Sequence, residues 1–197
     1  MLTYLALGDS YTVGEQVPIF ESFPYQLVQR LRSAGKNFAA AEIVAKTGFT
    51  TGELLQNIEH TRLLEKYDLV TLLIGVNNQY RSLPISEFEN DFKKLIHIAL
   101  DKSGGQHKNV FVVSIPDWGF TPFAADKDQA KISEEIDEYN GICKNIAKQN
   151  AVDFIDITSH LRLNNSDENL LAADRLHYSG KTHEHWAQEV YQKYCSM

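Results

Sequence analysis

Leu69-Val70-Thr71-Leu72-Leu73-Ile74 runs directly into Gly75-Val76-Asn77-Asn78. The first six residues have the length of a strand, carry one polar position and show no polar–apolar alternation, so they read as a central strand covered on both faces. Val110 to Ile115 has the same character. Three further β-rich runs, Leu2 to Leu7, Glu42 to Ala45 and Val152 to Ile157, complete a set of five separated by helical patterns. Such alternation predicts an α/β fold around a five-stranded parallel sheet.

The helical segments carry their own punctuation. One is expected from near Ser22, with Leu27, Val28, Leu31 and Ala34 on a common face, Pro24 in the tolerant first turn and a stop at Gly35. Thr50 to Glu53 and Ser86 to Glu89 both have the Ser/Thr-x-x-Glu form of a capping box, in which two side chains satisfy orphaned amides at a helix start. Ile85, Phe88, Phe92, Leu95, Ile96 and Ala99 form one apolar stripe, and Ile132, Ile136, Tyr139, Cys143 and Ile146 form another. A last helix is expected over Lys181 to Tyr194. Pro116 to Asp126 holds Trp118, Phe120 and Phe123 without either period, the pattern of a loop that lines a binding site.

The 197 residues fit a single domain spanning 1–197, and 43% hydrophobic with 23% charged residues is the balance of a folded globular chain. A net charge of -7, with no cluster of Lys and Arg, argues against nucleic acid as a partner. No apolar run reaches the roughly 18 residues of a membrane span, and no charged leader precedes the first strand, so a cytoplasmic chain is expected. A secreted or periplasmic origin follows instead if a leader has been removed. Cys143 and Cys195 lack metal or redox spacing, and Cys143 on its apolar stripe reads as a buried thiol. His183, Glu184 and His185 lie too close in sequence to converge from one helix, so no metal is expected. Nothing in the sequence fixes an oligomeric state.

In an open parallel sheet, ligands sit beyond the carboxyl ends of the strands. Gly8-Asp9-Ser10-Tyr11, Lys46-Thr47-Gly48-Phe49 and Gly75-Val76-Asn77-Asn78 follow the first three strands and therefore belong at one rim, with Asp174-Arg175-Leu176-His177 returning after the fifth. A serine hydroxyl becomes a useful nucleophile when a base takes its proton and a carboxylate orients that base. Ser10, His177 and Asp174 are the candidates. The three-residue step lets Asp174 accept from His177 Nδ1 and leaves Nε2 for Ser10. The Ser10 and Gly48 backbone N–H groups and the Asn77 side-chain amide are candidate donors for an oxyanion hole. Phe49, Tyr80, Trp118 and Phe120 are candidate pocket walls.

These four segments, in this order, resemble the signature blocks of the GDSL, or SGNH, hydrolase family. The resemblance spans nearly the whole chain. It implies a flavodoxin-like three-layer α/β/α sandwich, no cofactor, and hydrolysis of a small-molecule carboxylic ester or thioester through an acyl-enzyme on Ser10. Tyr11 stands where the family's leucine is usual, Asn78 where aspartate is common and Tyr178 where proline is frequent. Within the family, the resemblance is compatible with carbohydrate deacetylation, lysophospholipid or thioester cleavage, and general short-chain esterase activity. Two readings from outside this serine chemistry are a non-catalytic flavodoxin-like module holding a small ligand, which lacks a Gly-x-Gly-x-x-Gly or P-loop pattern, and a metal-dependent hydrolase sensitive to chelator.

Overall fold

In the computed structural model, which describes residues 1–196, the apolar runs become five strands: β1 (Tyr4–Gly8), β2 (Glu42–Ala45), β3 (Leu69–Leu73), β4 (Val110–Val113) and β5 (Asp153–Ile155). All neighbours are parallel and the order is β2-β1-β3-β4-β5. Every residue of β1, β3 and β4 is buried, as the unbroken apolar runs require.

Helices α1 (Ser10–Val13) and α2 (Phe23–Ser33) follow β1, and α3 (Thr51–Glu59) follows β2. After β3 come α4 (Val76–Tyr80) and α5 (Ile85–Lys102), after β4 comes α6 (Gln129–Gln149), and α7 (Thr158–Leu163) and α8 (Gly180–Cys195) follow β5. The chain steps one way from β1 to β2 and the other way from β2 through β3 to β5. Right-handed crossovers therefore put α2 on the face opposite α3, α5 and α6. Packing agrees: α2 lies against α8, while α3, α5 and α6 adjoin in turn. This is the three-layer α/β/α architecture with a flavodoxin-like strand order.

Several boundaries differ from the sequence expectation, each for a local reason. The expected first strand begins at Leu2, but Leu2 makes only an isolated bridge to Phe38. The fifth strand stops at Ile155 because Ser114 Oγ accepts the Ile157 and Thr158 N–H groups at 2.9 and 3.1 Å, drawing the chain off the ladder. The Thr50 capping box forms, with Glu53 N–H to Thr50 Oγ1 at 3.3 Å and Thr50 N–H to Glu53 Oε2 at 2.8 Å. The expected Ser86–Glu89 box does not form. Pro84 already occupies the cap position and Ile85 opens the helix, so Ser86 lies inside the first turn. The expected Pro116–Asp126 loop contains two 3₁₀ turns, Trp118–Phe120 and Pro122–Ala124. Cys143 is buried, and burial pushes its thiol pKa up. No helix among the described residues is long and apolar enough to cross a membrane.

Candidate active site

Register brings the site together. Gly8 at the end of β1 pairs with Ala45 of β2 and Leu73 of β3, so the segments after all three strands leave the sheet at one level. The strand order reverses at β1, which opens a crevice there.

At the first exit, a β-carbon on residue 8 would sit 2.1 Å from Thr12 Oγ1 and 2.4 Å from Leu73 O, so only glycine lets the chain turn so tightly from β1 into α1. Asp9 then caps α1: its Oδ1 accepts Tyr11 N–H at 3.0 Å and its carbonyl accepts Thr12 and Val13 N–H. Burial pushes the Asp9 carboxyl up to about 7, against the opposing pull of N–H donors from Tyr11, Asp9 itself and Gly75. Ser10 occupies the first helical position, where a backbone N–H has no intrahelical acceptor and is free for a ligand.

The second exit is the turn closed by Phe49 N–H to Lys46 O at 3.1 Å. Gly48 sits there at φ +86°, a left-handed conformation open to glycine at little cost. At the third exit, Asn77 lies in the first turn of α4 and donates one amide hydrogen to Phe49 O at 3.0 Å. An amide has two such hydrogens, so this bond leaves the second unused. Asn78 accepts Thr51 N–H and donates to Thr51 Oγ1, both at 2.9 Å, tying α4 to the start of α3. An ionised aspartate here could not donate; asparagine satisfies both groups of Thr51.

The fourth segment lies between α7 and α8, where Leu171 bridges Tyr178 and Ala172 N–H donates to His177 O at 2.9 Å. Asp174 Oδ1 accepts the N–H groups of Leu176 and His177 at 3.0 and 2.9 Å, and Oδ2 lies 2.6 Å from His177 Nδ1. Burial raises the Asp174 pKa, but the hydrogen bonds from the His177 ring and the two N–H groups outweigh it, and the net shift is downward. The carboxylate is thus ionised and the imidazole is held in one orientation.

Ser10, Gly48, Asn77 and His177 line one cleft of about 200 Å³, together with Tyr11, Thr47, Val76, Tyr80, Trp118, Phe123 and Leu176. Ser10 and His177 both line this cleft, and no hydrogen bond joins their side chains. Larger hollows exist, such as the groove of about 540 Å³ between α2 and α8, but that groove holds none of these groups.

Of the aromatics expected as walls, Tyr80 and Trp118 line the cleft, whereas Phe49 and Phe120 do not. Phe49 packs its ring against the core and offers only its carbonyl to Asn77. Phe120 points the other way, under the Arg162 guanidinium at 5.8 Å, because Arg162 pairs with the buried Asp117 at 2.7 Å and turns that end of the segment outward. Phe123, from the loop expected to line a site, also lines the cleft, whereas Tyr11, Val76 and Leu176 were not among the expected walls. All three lie within the motif segments, a signal that was available. His183, Glu184 and His185 diverge: His183 Nδ1 accepts Phe23 N–H at 3.3 Å, Glu184 pairs with Arg30 at 2.8 Å, and His185 stacks on His160 at 3.8 Å.

Residues 6–185 match the family model of the GDSL-like lipase/acylhydrolase family. The chain belongs to that family. Among curated relatives of this GDSL-like chain, a spore germination lipase LipC from Bacillus licheniformis is 35% identical over 112 residues, 55% of this chain and 51% of that protein. An arylesterase from Vibrio mimicus is 30% identical over 114 residues, 57% of this chain and 54% of that protein. The matches therefore span about half the length of these curated relatives. Among solved structures, an acetylxylan esterase from Geobacillus stearothermophilus, Axe2, aligns with a TM-score of 0.78 at 18% identity, covering 98% of this chain and 94% of that one. A lipase/acylhydrolase from Enterococcus faecalis aligns at 0.76 and 20% identity, covering 98% and 95%. At these identities the likeness is one of fold.

Proposed function

We propose that this GDSL-family chain is a serine esterase. Ser10 Oγ attacks the carbonyl carbon of a carboxylic ester while His177 Nε2 takes the hydroxyl proton. The C–O bond to the alcohol breaks, His177 returns the proton to the leaving oxygen, and an acyl-enzyme forms on Ser10. Water activated by the same imidazole then releases the acid and restores the serine. Asp174 fixes the tautomer and steadies the imidazolium. The Ser10 and Gly48 N–H groups and the free Asn77 amide hydrogen stabilise the negative oxygen of each tetrahedral intermediate.

The observation that carries this reading is the 2.6 Å contact of His177 Nδ1 with Asp174 Oδ2 in a cleft that also holds Ser10, Gly48 and Asn77. The reaction class does not call for a metal or cofactor. The cleft volume lies below the roughly 300–1,000 Å³ of pockets for drug-sized ligands, and its walls are largely apolar, which favours short acyl or aryl esters, with thioesters open to the same chemistry. Hydrolysis of p-nitrophenyl acetate by the wild type and by Ser10→Ala tests the proposal. Turnover by the wild type and near-complete loss in the variant are expected; equal rates would sink it.

A further inference from the structure

Gly48 is the least constrained backbone in the site, yet an oxyanion donor must be aimed before the charge arrives. The structure supplies a restraint from α4. Arg81, the residue that closes this helix, donates from Nη2 to Gly48 O at 2.5 Å and from Nη1 to both carboxyl oxygens of Glu53 at 3.2 and 3.3 Å. Glu53 is itself fixed by its capping box with Thr50. One turn back on the same helix, Asn77 holds the next carbonyl, Phe49 O. Two successive carbonyls of the turn are thus pinned by two residues of α4, while Thr47 Oγ1 donates to Glu15 on the other side. With the plane of peptide 48–49 held, the Gly48 N–H can reorient only through φ and ψ of Gly48 itself.

We propose that Arg81 is a positioning residue for ester hydrolysis: its guanidinium fork holds the Gly48 peptide so that the Gly48 N–H stays aimed at the developing oxyanion. The inference rests on the reading of Gly48 as an oxyanion donor. It requires the fork rather than the charge. Lysine supplies a cation whose three donors share one nitrogen on a flexible stem, so it does not reproduce the planar two-nitrogen fork that links Gly48 O and Glu53. A simple electrostatic role, or attraction of an anionic substrate, predicts that lysine suffices and that KM carries the effect.

The test is steady-state hydrolysis of p-nitrophenyl acetate by Arg81→Ala, Arg81→Lys and Glu53→Gln, with Arg30→Ala as a control that removes a cation paired elsewhere with Glu184. Arg81→Ala and Arg81→Lys should both lose about tenfold to a hundredfold in kcat with KM changed less than about twofold, and Glu53→Gln should fall between them and the wild type. Phenylboronic acid, which forms a tetrahedral adduct on an active serine, should bind more weakly in step with kcat. Millimolar guanidinium should restore part of the rate in Arg81→Ala and none in Arg81→Lys. Arg30→Ala should match the wild type. Wild-type kcat in Arg81→Ala, or full activity in Arg81→Lys, would overturn the proposal, as would a loss of rate with unchanged boronate affinity. If Ser10→Ala keeps the wild-type rate, the underlying esterase reading fails; if Ser10→Ala is inactive while Arg81→Ala is not, the Arg81 proposal alone fails.

Discussion

Asp174 holds His177 twice: one carboxyl oxygen accepts the backbone N–H of His177 at 2.9 Å and the other meets its ring Nδ1 at 2.6 Å. The same side chain therefore shapes the turn and orients the His177 imidazole. Because its pKa is held below the usual carboxylate range, Asp174 is already ionised wherever an imidazole changes charge. Asp174 should then add no step of its own to the acid side of the rate profile. kcat/KM should fall under acid as the base takes a proton, and Asp174→Asn should lose on the order of a hundredfold to ten-thousandfold in kcat. A profile flat from pH 5 to 8 would contradict the assignment of His177.

Asn77 divides its amide between Phe49 O and the cleft. Asn77→Ala should lower kcat on the order of a hundredfold to a thousandfold with little change in KM. Asn77→Asp presents acceptors alone at neutral pH and should be no better. Initial rates over a substrate series check both, and a variant that loses only KM would move Asn77 from the oxyanion to ground-state binding.

Trp118 is buried along one wall of the cleft. Its Nε1 donates to Gln79 Oε1 at 2.8 Å, Gln79 donates to Glu135 at 2.7 Å, and Tyr80 and Phe123 lean edge-on against the indole. Trp118→Ala should widen the space beside Ser10 and shift the preferred p-nitrophenyl ester from short to longer acyl chains. An unchanged chain-length profile would place the acyl group elsewhere in the cleft.

Two buried groups oppose each other in their effect on stability. The folded protein keeps a proton on Asp9 up to about pH 7 that the unfolded chain gives up near pH 4, so this residue makes stability fall as pH rises through that window. His183 does the reverse. Burial, assisted by nearby His177, lowers its pKa to about 3, so the unfolded chain takes up a proton below about pH 6.5 that the folded one refuses, and stability falls as pH drops. The wild type should therefore show a flatter profile than either single variant. Urea midpoints at pH 4 to 7 should rise more steeply with pH in Asp9→Asn and decline with pH in His183→Asn, which keeps an acceptor for Phe23 N–H. Three identical profiles would refute the pairing.

The sequence was most legible where one residue type answers one local demand. Unbroken apolar runs marked β3 and β4, the Thr50–Glu53 spacing marked the start of α3, and the four polar segments marked the rim. It was less legible where tertiary placement decides. Helix α1 is four residues long, too short to show a period, and becomes visible only through its Asp9 cap. Phe49 and Phe120 are aromatic residues near the motifs, but which way a ring turns depends on partners such as Arg162 and Asp117 that lie far off in sequence. Arg81 carries no motif at all. Its meaning appears only once α4 is laid beside the turn at Gly48.

The central claim is that Ser10 carries the acyl group, and covalent capture tests it most directly. The protein would be incubated with a p-nitrophenyl alkylphosphonate and its peptides examined by mass spectrometry. The account predicts one phosphonyl group per chain, on the peptide containing Ser10, with p-nitrophenol released in equal amount, slowed in His177→Ala and absent in Ser10→Ala. Ester turnover by a protein that acquires no adduct, or acquires it on another residue, would contradict it.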